Sequence, residues 1–128
     1  NVLGCYLEPN KGHGITAGVG TYHNNVVYHS ASGILASGST VVTSNLVVAN
    51  LKMGKELGYT DFISSFWVFG RSVTLLGNSA AAGQGQGFMF SSFGLPPSRC
   101  TSNTAHGVFV GVANKGSYSQ TMQDFTLW

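Results

Sequence analysis

The sequence predicts an all-β fold over residues 1–128, as a single domain that is either a β-sandwich or a closed antiparallel β-barrel. Short apolar segments rich in valine and aromatic residues recur along the chain, and clusters of glycine, asparagine and serine separate them. The chain has 128 residues, which is the usual size of one domain. No internal repeat with a convincing period is visible among these segments.

The predicted core lies in residues 61–93, where most of the large aromatic side chains are found. Residues 62–69 are apolar on both alternating faces, which is typical of a strand buried on both sides. A glycine-arginine turn follows, and residues 72–76 are expected to return as an antiparallel neighbour. The glycine-rich run 83–87 permits a bulge before the next strand. We therefore expect Trp67 to lie in the centre of the core.

Before this core, three short strands are expected over residues 2–7, 14–20 and 26–30, with turn-forming residues between them. The span 40–53 is apolar throughout and permits two structures. Its four valines favour one bent strand or two short ones. Alternatively, an asparagine cap could open one short helix near 49–58.

After the core, two adjacent prolines block both helix and sheet pairing, so residues 94–99 are expected to form an ordered loop. Alternating valines predict a strand over 108–112. The sequence Asn114-Lys115-Gly116 is a good hairpin turn and leads into a last strand over 118–128.

The scarcity of charged residues in this chain argues against nucleic acid and membrane surfaces as partners. Charged residues make up 8% of the sequence, against an average of about 25%. The net charge of +2 comes from single, scattered residues, whereas nucleic-acid and membrane-surface binders concentrate lysine and arginine. No apolar run approaches the length of about 18 residues that a membrane-spanning helix needs. We expect neither a nucleic-acid partner nor a membrane span.

The two cysteines, Cys5 and Cys100, suggest a disulfide bridge, because an even count in an extracellular protein usually indicates pairing. The alternative is two buried free thiols in a reducing compartment. Low charge, high glycine and serine content and a start at Asn1 that resembles a processed chain favour the bridge. We therefore expect a secreted, extracellular protein.

The residues that commonly carry chemistry do not form a catalytic or metal-binding motif. His23 and His29 are six residues apart, which on one strand separates them by about 20 Å, too far to share a metal. The four carboxylates are scattered, and no Gly-x-Ser-x-Gly sequence is present. The glycine run 83–87 lacks the Lys-Ser/Thr ending of a phosphate loop. We expect no metal and no cofactor, and a role in binding rather than in catalysis.

A candidate ligand site lies in and beside one predicted turn, formed by Tyr22, His23, Asn24, Asn25 and Tyr28. Amide side chains can hydrogen-bond to sugar hydroxyls, and an aromatic face can pack on the apolar side of a pyranose. Such a site needs little net charge, as in this chain. The alternative is that the two asparagines only form the turn and the tyrosines only pack.

The sequence therefore predicts a secreted, non-enzymatic binding protein, lectin-like or defence-related, that recognises carbohydrate or a cell-surface component. An alternative is a self-assembling coat, pilus or capsid subunit, which would be a homo-oligomer. Low charge weakens repulsion between copies, and polar, uncharged edge strands invite association.

One local segment resembles plant dirigent proteins. The sequence 69–73 (Phe-Gly-Arg-Ser-Val), followed by 83–90 (Gly-Gln-Gly-Gln-Gly-Phe-Met-Phe), is similar to the region of that family where a strand leads into Arg-Ala-Gln-Gly-Phe. Gln84-Gly85 replaces the arginine-alanine pair, and Gly116-Ser117-Tyr118 falls near that family's later hairpin. The resemblance covers about a third of the chain. It implies an eight-stranded β-barrel with a small-molecule pocket.

Overall fold

The computed structural model describes residues 13–30, 32–49, 63–69, 72–91, 99–115 and 121–128. These residues form fifteen short strands. The strands are β1 (His13–Ala17), β2 (Gly20–His23), β3 (Val26–Tyr28), β4 (Ser32–Ala36), β5 (Thr40–Thr43), β6 (Leu46–Val48), β7 (Ser64–Val68), β8 (Thr74–Leu76), β9 (Ser79–Ala81), β10 (Gln86–Phe90), β11 (Arg99–Thr101), β12 (Thr104–His106), β13 (Val110–Asn114), β14 (Thr121–Gln123) and β15 (Thr126–Leu127).

The strands form three five-stranded sheets, and every pairing is parallel. Sheet A has the order β1-β4-β7-β10-β13, sheet B the order β2-β5-β8-β11-β14, and sheet C the order β3-β6-β9-β12-β15. The chain visits the sheets in the order A, B, C and then starts again, so it winds into a β-solenoid of about four turns. We call three successive strands, one from each sheet, a rung.

This architecture corrects the predicted sandwich or antiparallel barrel. The fold is all-β, but strands that are adjacent in sequence never pair with each other in the described ranges. β7 pairs with β4 and β10, and β8 pairs with β5 and β11, so the expected antiparallel pairing of residues 62–69 with 72–76 is wrong. Two paired parallel strands need a long connection between them. Here the connection consists of the next two strands of the chain, which belong to the other two sheets.

The pairing of the strands also shows that the rungs are a structural repeat, which was not visible in the sequence. Ile15 pairs with Ile34, nineteen residues on, whereas Val41 pairs with Thr74, which is 33 residues on. The connection from β6 to β7 is longer than that from β3 to β4. Because the connections differ in length, the repeat has no constant period, and a search for one fails.

The core is a column of apolar side chains between the three sheets. Phe66 and Phe88 stack with ring centroids 4.8 Å apart and planes tilted by 7°. Other fully buried side chains belong to the same core cluster; they include Ile34, Val42, Leu75, Val27 and Val47. Burying each of these side chains contributes about 2 kcal/mol to stability.

The predicted core segment 61–93 is confirmed for the phenylalanines of β7 and β10 but not for Trp67. Phe66 and Val68 point into the solenoid, so Trp67 between them lies on the outer face of sheet A and is half-buried. There its ring lies 5.7 Å from that of His13. Burial lowers the pKa of His13.

Where sheets C and A meet, Gly33 and Gly87 leave no room for a side chain. A Cβ atom on Gly33 would lie 2.3 Å from the carbonyl oxygen of Ser65 and 2.4 Å from Cγ1 of Val47. A Cβ on Gly87 would lie 2.8 Å from Cβ of Ala105. Close approach of the backbones at this corner therefore explains part of the high glycine content.

Cys100 lies in the core column of sheet B as a fully buried free thiol. Burial raises its pKa to about 12. Cys5 lies outside the described residues, so the structure gives no support to the predicted bridge.

The short helix predicted near 49–58 falls outside the described residues, apart from Ala49. No helix in the described ranges has the length and hydropathy that crossing a membrane requires. The barrel implied by the dirigent resemblance is wrong, because β10, which contains part of the resembling segment, is a parallel strand between β7 and β13.

Candidate functional site: a polar stripe over an asparagine ladder

The corner between sheets B and C repeats the same two-residue turn in each rung. Its first residue has a positive φ: 56° at Asn24, 55° at Ser44, 64° at Gly77, 54° at Ser102 and 52° at Asp124. In four rungs the second residue is a buried asparagine. These ladder residues are Asn25, Asn45, Asn78 and Asn103.

The four asparagines are joined in a continuous hydrogen-bonded ladder. Oδ1 of Asn45 accepts from the backbone N–H of Asn25 at 2.9 Å and from its Nδ2 at 2.8 Å. Oδ1 of Asn78 accepts in the same way from Asn45, with both distances 3.0 Å, and Oδ1 of Asn103 accepts from Asn78, again at 3.0 Å. The ladder satisfies buried polar groups and fixes the register of the rungs.

The Nδ2 groups of the ladder also hold the strands of sheet B. Asn78 donates to the carbonyl of Val42 at 2.8 Å, and Asn103 donates to that of Leu75 at 3.1 Å. In the fifth rung Phe125 takes the position of the asparagine and meets the ring of Phe88 edge-on at 5.0 Å. The predicted last strand 118–128 is consequently two strands, β14 and β15, with this corner between them.

The residues with positive φ lie on the outside of the ladder and are themselves fixed by backbone hydrogen bonds. The N–H of Asn24 donates to the carbonyl of Thr43 at 3.1 Å, and the N–H of Ser44 donates to that of Leu76 at 2.9 Å. Gly77 and Ser102 repeat this contact with the carbonyls of the next rung. The outer corner is therefore held rigidly in each of these rungs.

We call the outer surface of this corner the polar stripe. It has two columns of in-register residues, separated by about 4.8 Å from rung to rung. The first column is His23, Thr43, Leu76, Thr101 and Gln123, and the second is Asn24, Ser44, Gly77, Ser102 and Asp124. All five residues of the second column are exposed.

The centre of the polar stripe differs from its surroundings. Rungs two and four carry the same pair, Thr43-Ser44 and Thr101-Ser102, whereas rung three carries Leu76-Gly77. Leu76 is 45% exposed although it is aliphatic. A Cβ on Gly77 would have Oγ of Ser44 as its nearest neighbour, at 4.0 Å, so the position is open. We call this the central notch: an apolar floor between the pairs Thr43-Ser44 and Thr101-Ser102. Ser44 and Ser102 are exposed, whereas the hydroxyl oxygen of Thr101 is buried.

Charge is confined to the margins of the polar stripe. His23 at one end hydrogen-bonds through Nδ1 to Oγ1 of Thr43 at 2.8 Å, and Asp124 lies at the other end. Arg99 is exposed on the same sheet, two residues before Thr101. The six residues of the central notch and its two sides are uncharged.

The structure separates the five residues of the predicted site. His23 and Asn24 lie on the polar stripe. Tyr22 packs against the core and its hydroxyl accepts from the N–H of Gly18 at 3.2 Å, while Asn25 is a ladder residue. Tyr28 lies on the outer face of sheet C, where its ring stacks on His29 at 3.8 Å.

The central notch was not anticipated from the sequence. The signal that could have revealed it is the pair formed by a small residue and an asparagine, which recurs as Ser44-Asn45, Gly77-Asn78 and Ser102-Asn103. A polar residue that tolerates positive φ, followed by a hydrogen-bonding amide, is typical of a repeated corner. In the described part of the chain, no three histidine, cysteine, aspartate or glutamate residues converge as a metal site would require.

Comparisons with protein-family models, with curated proteins and with solved structures found no match to this chain. A functional assignment therefore depends on the geometry of the molecule itself.

Proposed function

We propose that the protein is a non-enzymatic carbohydrate-binding solenoid, and that the polar stripe binds a polysaccharide chain lying along the solenoid axis. The observation that carries this proposal is the column of exposed polar side chains along the corner, Asn24, Ser44, Ser102 and Asp124, which Gly77 interrupts in the middle rung. A polysaccharide presents hydroxyl groups at regular intervals, and serine and threonine hydroxyls can donate to them or accept from them.

Rigidity supports the same assignment. The asparagine ladder and the backbone hydrogen bonds of the corner fix the stripe before a ligand arrives. A surface that is already ordered loses little conformational entropy on binding, so weak individual hydrogen bonds can add up to useful affinity.

A ligand of this kind belongs outside most cells, which accords with the expected extracellular location and with a lectin-like or defence-related role. The low charge and the high glycine and serine content of the chain also support that location. Fractionation of the source cells and their medium tests it, and a chain found only in the cell lysate would contradict it.

The binding proposal is tested by affinity electrophoresis in gels that contain soluble polysaccharides. We expect wild-type protein to be retarded by at least one polymer. Ser44→Glu with Ser102→Glu should abolish the retardation, because two long, charged side chains then project from the stripe. Far-UV circular dichroism of both proteins checks that the fold is retained.

Ser72→Glu is the matched control. Ser72 is also exposed and has a positive φ of 54°, but it does not belong to the polar stripe. This variant should migrate as wild type does. Retardation of the Ser44/Ser102 double variant equal to that of wild type, or no retardation of wild type by any polymer, would contradict the proposal.

A further inference from the structure

We infer that the central notch selects the class of ligand: a neutral polysaccharide whose hexopyranose unit lays its apolar face on Leu76. This inference rests on the proposed binding function and adds the identity of the unit that is recognised. The notch is in the middle rung, so the unit it holds is internal to the chain.

The shape of the notch supports this assignment. Leu76 and Gly77 interrupt two columns that are otherwise polar, and Gly77 removes the side chain that would stand beside Leu76. A pyranose ring has an apolar face formed by its C–H groups and a polar rim formed by its hydroxyls. The notch offers a complementary surface, with Leu76 under the ring and the exposed side chains of Ser44 and Ser102 beside its rim; the hydroxyl oxygen of Thr101 is buried and faces no ligand.

Charge supports a neutral unit. None of the six residues of the notch and its sides is ionisable. Arg99, in the same strand as Thr101, is the cation that a ligand on the notch would have to reach. A carboxylated sugar on Leu76 would have to reach Arg99 to find a charge-assisted hydrogen bond. A neutral sugar finds its hydroxyl partners directly beside it.

Two substitutions remove the notch and use only residues that already occupy the same backbone conformation in neighbouring rungs. Leu76→Thr with Gly77→Ser makes rung three identical to rungs two and four at these positions. Serine already adopts the required conformation at Ser44 and Ser102, with φ of 55° and 54°. Threonine already occupies the equivalent strand positions 43 and 101.

The test is the affinity of wild type and of this double variant for a neutral glucan, a neutral mannan and an acidic uronan, at low and at high salt. We expect wild type to bind a neutral polymer with little dependence on salt, since no ion pair is formed. The double variant should bind that polymer at least tenfold more weakly. Val41→Thr, which removes another exposed aliphatic side chain from the same sheet, should leave the affinity unchanged.

Two results would overturn the inference while leaving the proposed function intact. One is that the Leu76/Gly77 double variant binds a neutral polymer as tightly as wild type does, although the Ser44/Ser102 double variant does not bind that polymer. The other is binding of the uronan alone, weakened by salt and lost in Arg99→Gln, which would assign recognition to Arg99. Failure of wild type to bind any polymer would instead contradict the proposed function.

Discussion

At the scale of single residues, Asn78 connects the fold to the candidate site. It is fully buried, accepts two hydrogen bonds from Asn45, and donates to Asn103 and to the carbonyl of Val42. The residue before it, Gly77, opens the central notch. The side chain of Asn78 therefore joins the middle rungs directly beneath the surface that we propose binds sugar.

Asn78→Ala should lower the free energy of unfolding by about 3 kcal/mol, because it leaves several buried donors and acceptors without partners. Asn24→Ala is the control, since Asn24 is an exposed corner residue. It should cost about 1 kcal/mol or less, as expected for alanine placed at positive φ. Urea denaturation measures both. A loss below about 0.5 kcal/mol for Asn78→Ala would show that the ladder does not stabilise the fold.

At the scale of elements, the strands are short and each is positioned by the rungs on either side of it. β4 illustrates this: its Gly33 lies against Ser65 of the next rung and Val47 of sheet C, with no room for a side chain. The elements hold their places because small residues allow the sheets to meet closely at this corner.

Gly33→Ala should therefore destabilise the protein by about 2–3 kcal/mol, because the added methyl group overlaps a carbonyl oxygen and a valine side chain. Gly18→Ala provides the comparison, because a Cβ atom at position 18 would meet nothing within 4 Å beyond its own chain neighbours. Its effect should be small and of either sign. Equal melting temperatures for Gly33→Ala and wild type would mean that the sheets meet less closely at this corner than the distances indicate.

The element scale also shows what the sequence could predict. A strand near residues 26–30 and a core around Phe66 and Phe88 were recognisable, because valine and aromatic segments are typical of strands in any sheet. The predicted strand 14–20 was only partly right, since β1 ends at Ala17 and β2 begins at Gly20 after a corner. Pairing was not recognisable. Short strands with turn residues between them are equally compatible with hairpins, and only the recurring asparagines distinguish a solenoid corner.

The same ambiguity affected the predicted site. Asn24 and Asn25 are adjacent and look equivalent in the sequence, yet one lies on the surface and the other in the ladder. They differ because the chain turns the corner at Asn24, whose φ is 56°, so that the side chain of Asn24 stays outside with that of His23 and the side chain of Asn25 points inward. The glycine at position 77 gave no sign of a site on its own, because its neighbours on the surface come from other rungs.

At the scale of the whole molecule, the solenoid turns a set of local corners into one continuous surface. Residues far apart in the sequence, such as Thr43 and Leu76, become neighbours on the polar stripe only when the rungs are stacked in parallel and in register. The proposed function depends on this stacking. The alternative of a self-assembling coat subunit stays a prediction of the sequence.

The parallel register of the rungs is tested most directly by nuclear Overhauser effects in isotope-labelled protein. We predict contacts from the side-chain amide of Asn45 to Asn78 and from that of Asn78 to Asn103, because these groups are joined at 3.0 Å. Strong Hα–Hα contacts between residues 64–68 and 74–76, which mark an antiparallel pair, would contradict the solenoid and the stripe built on it.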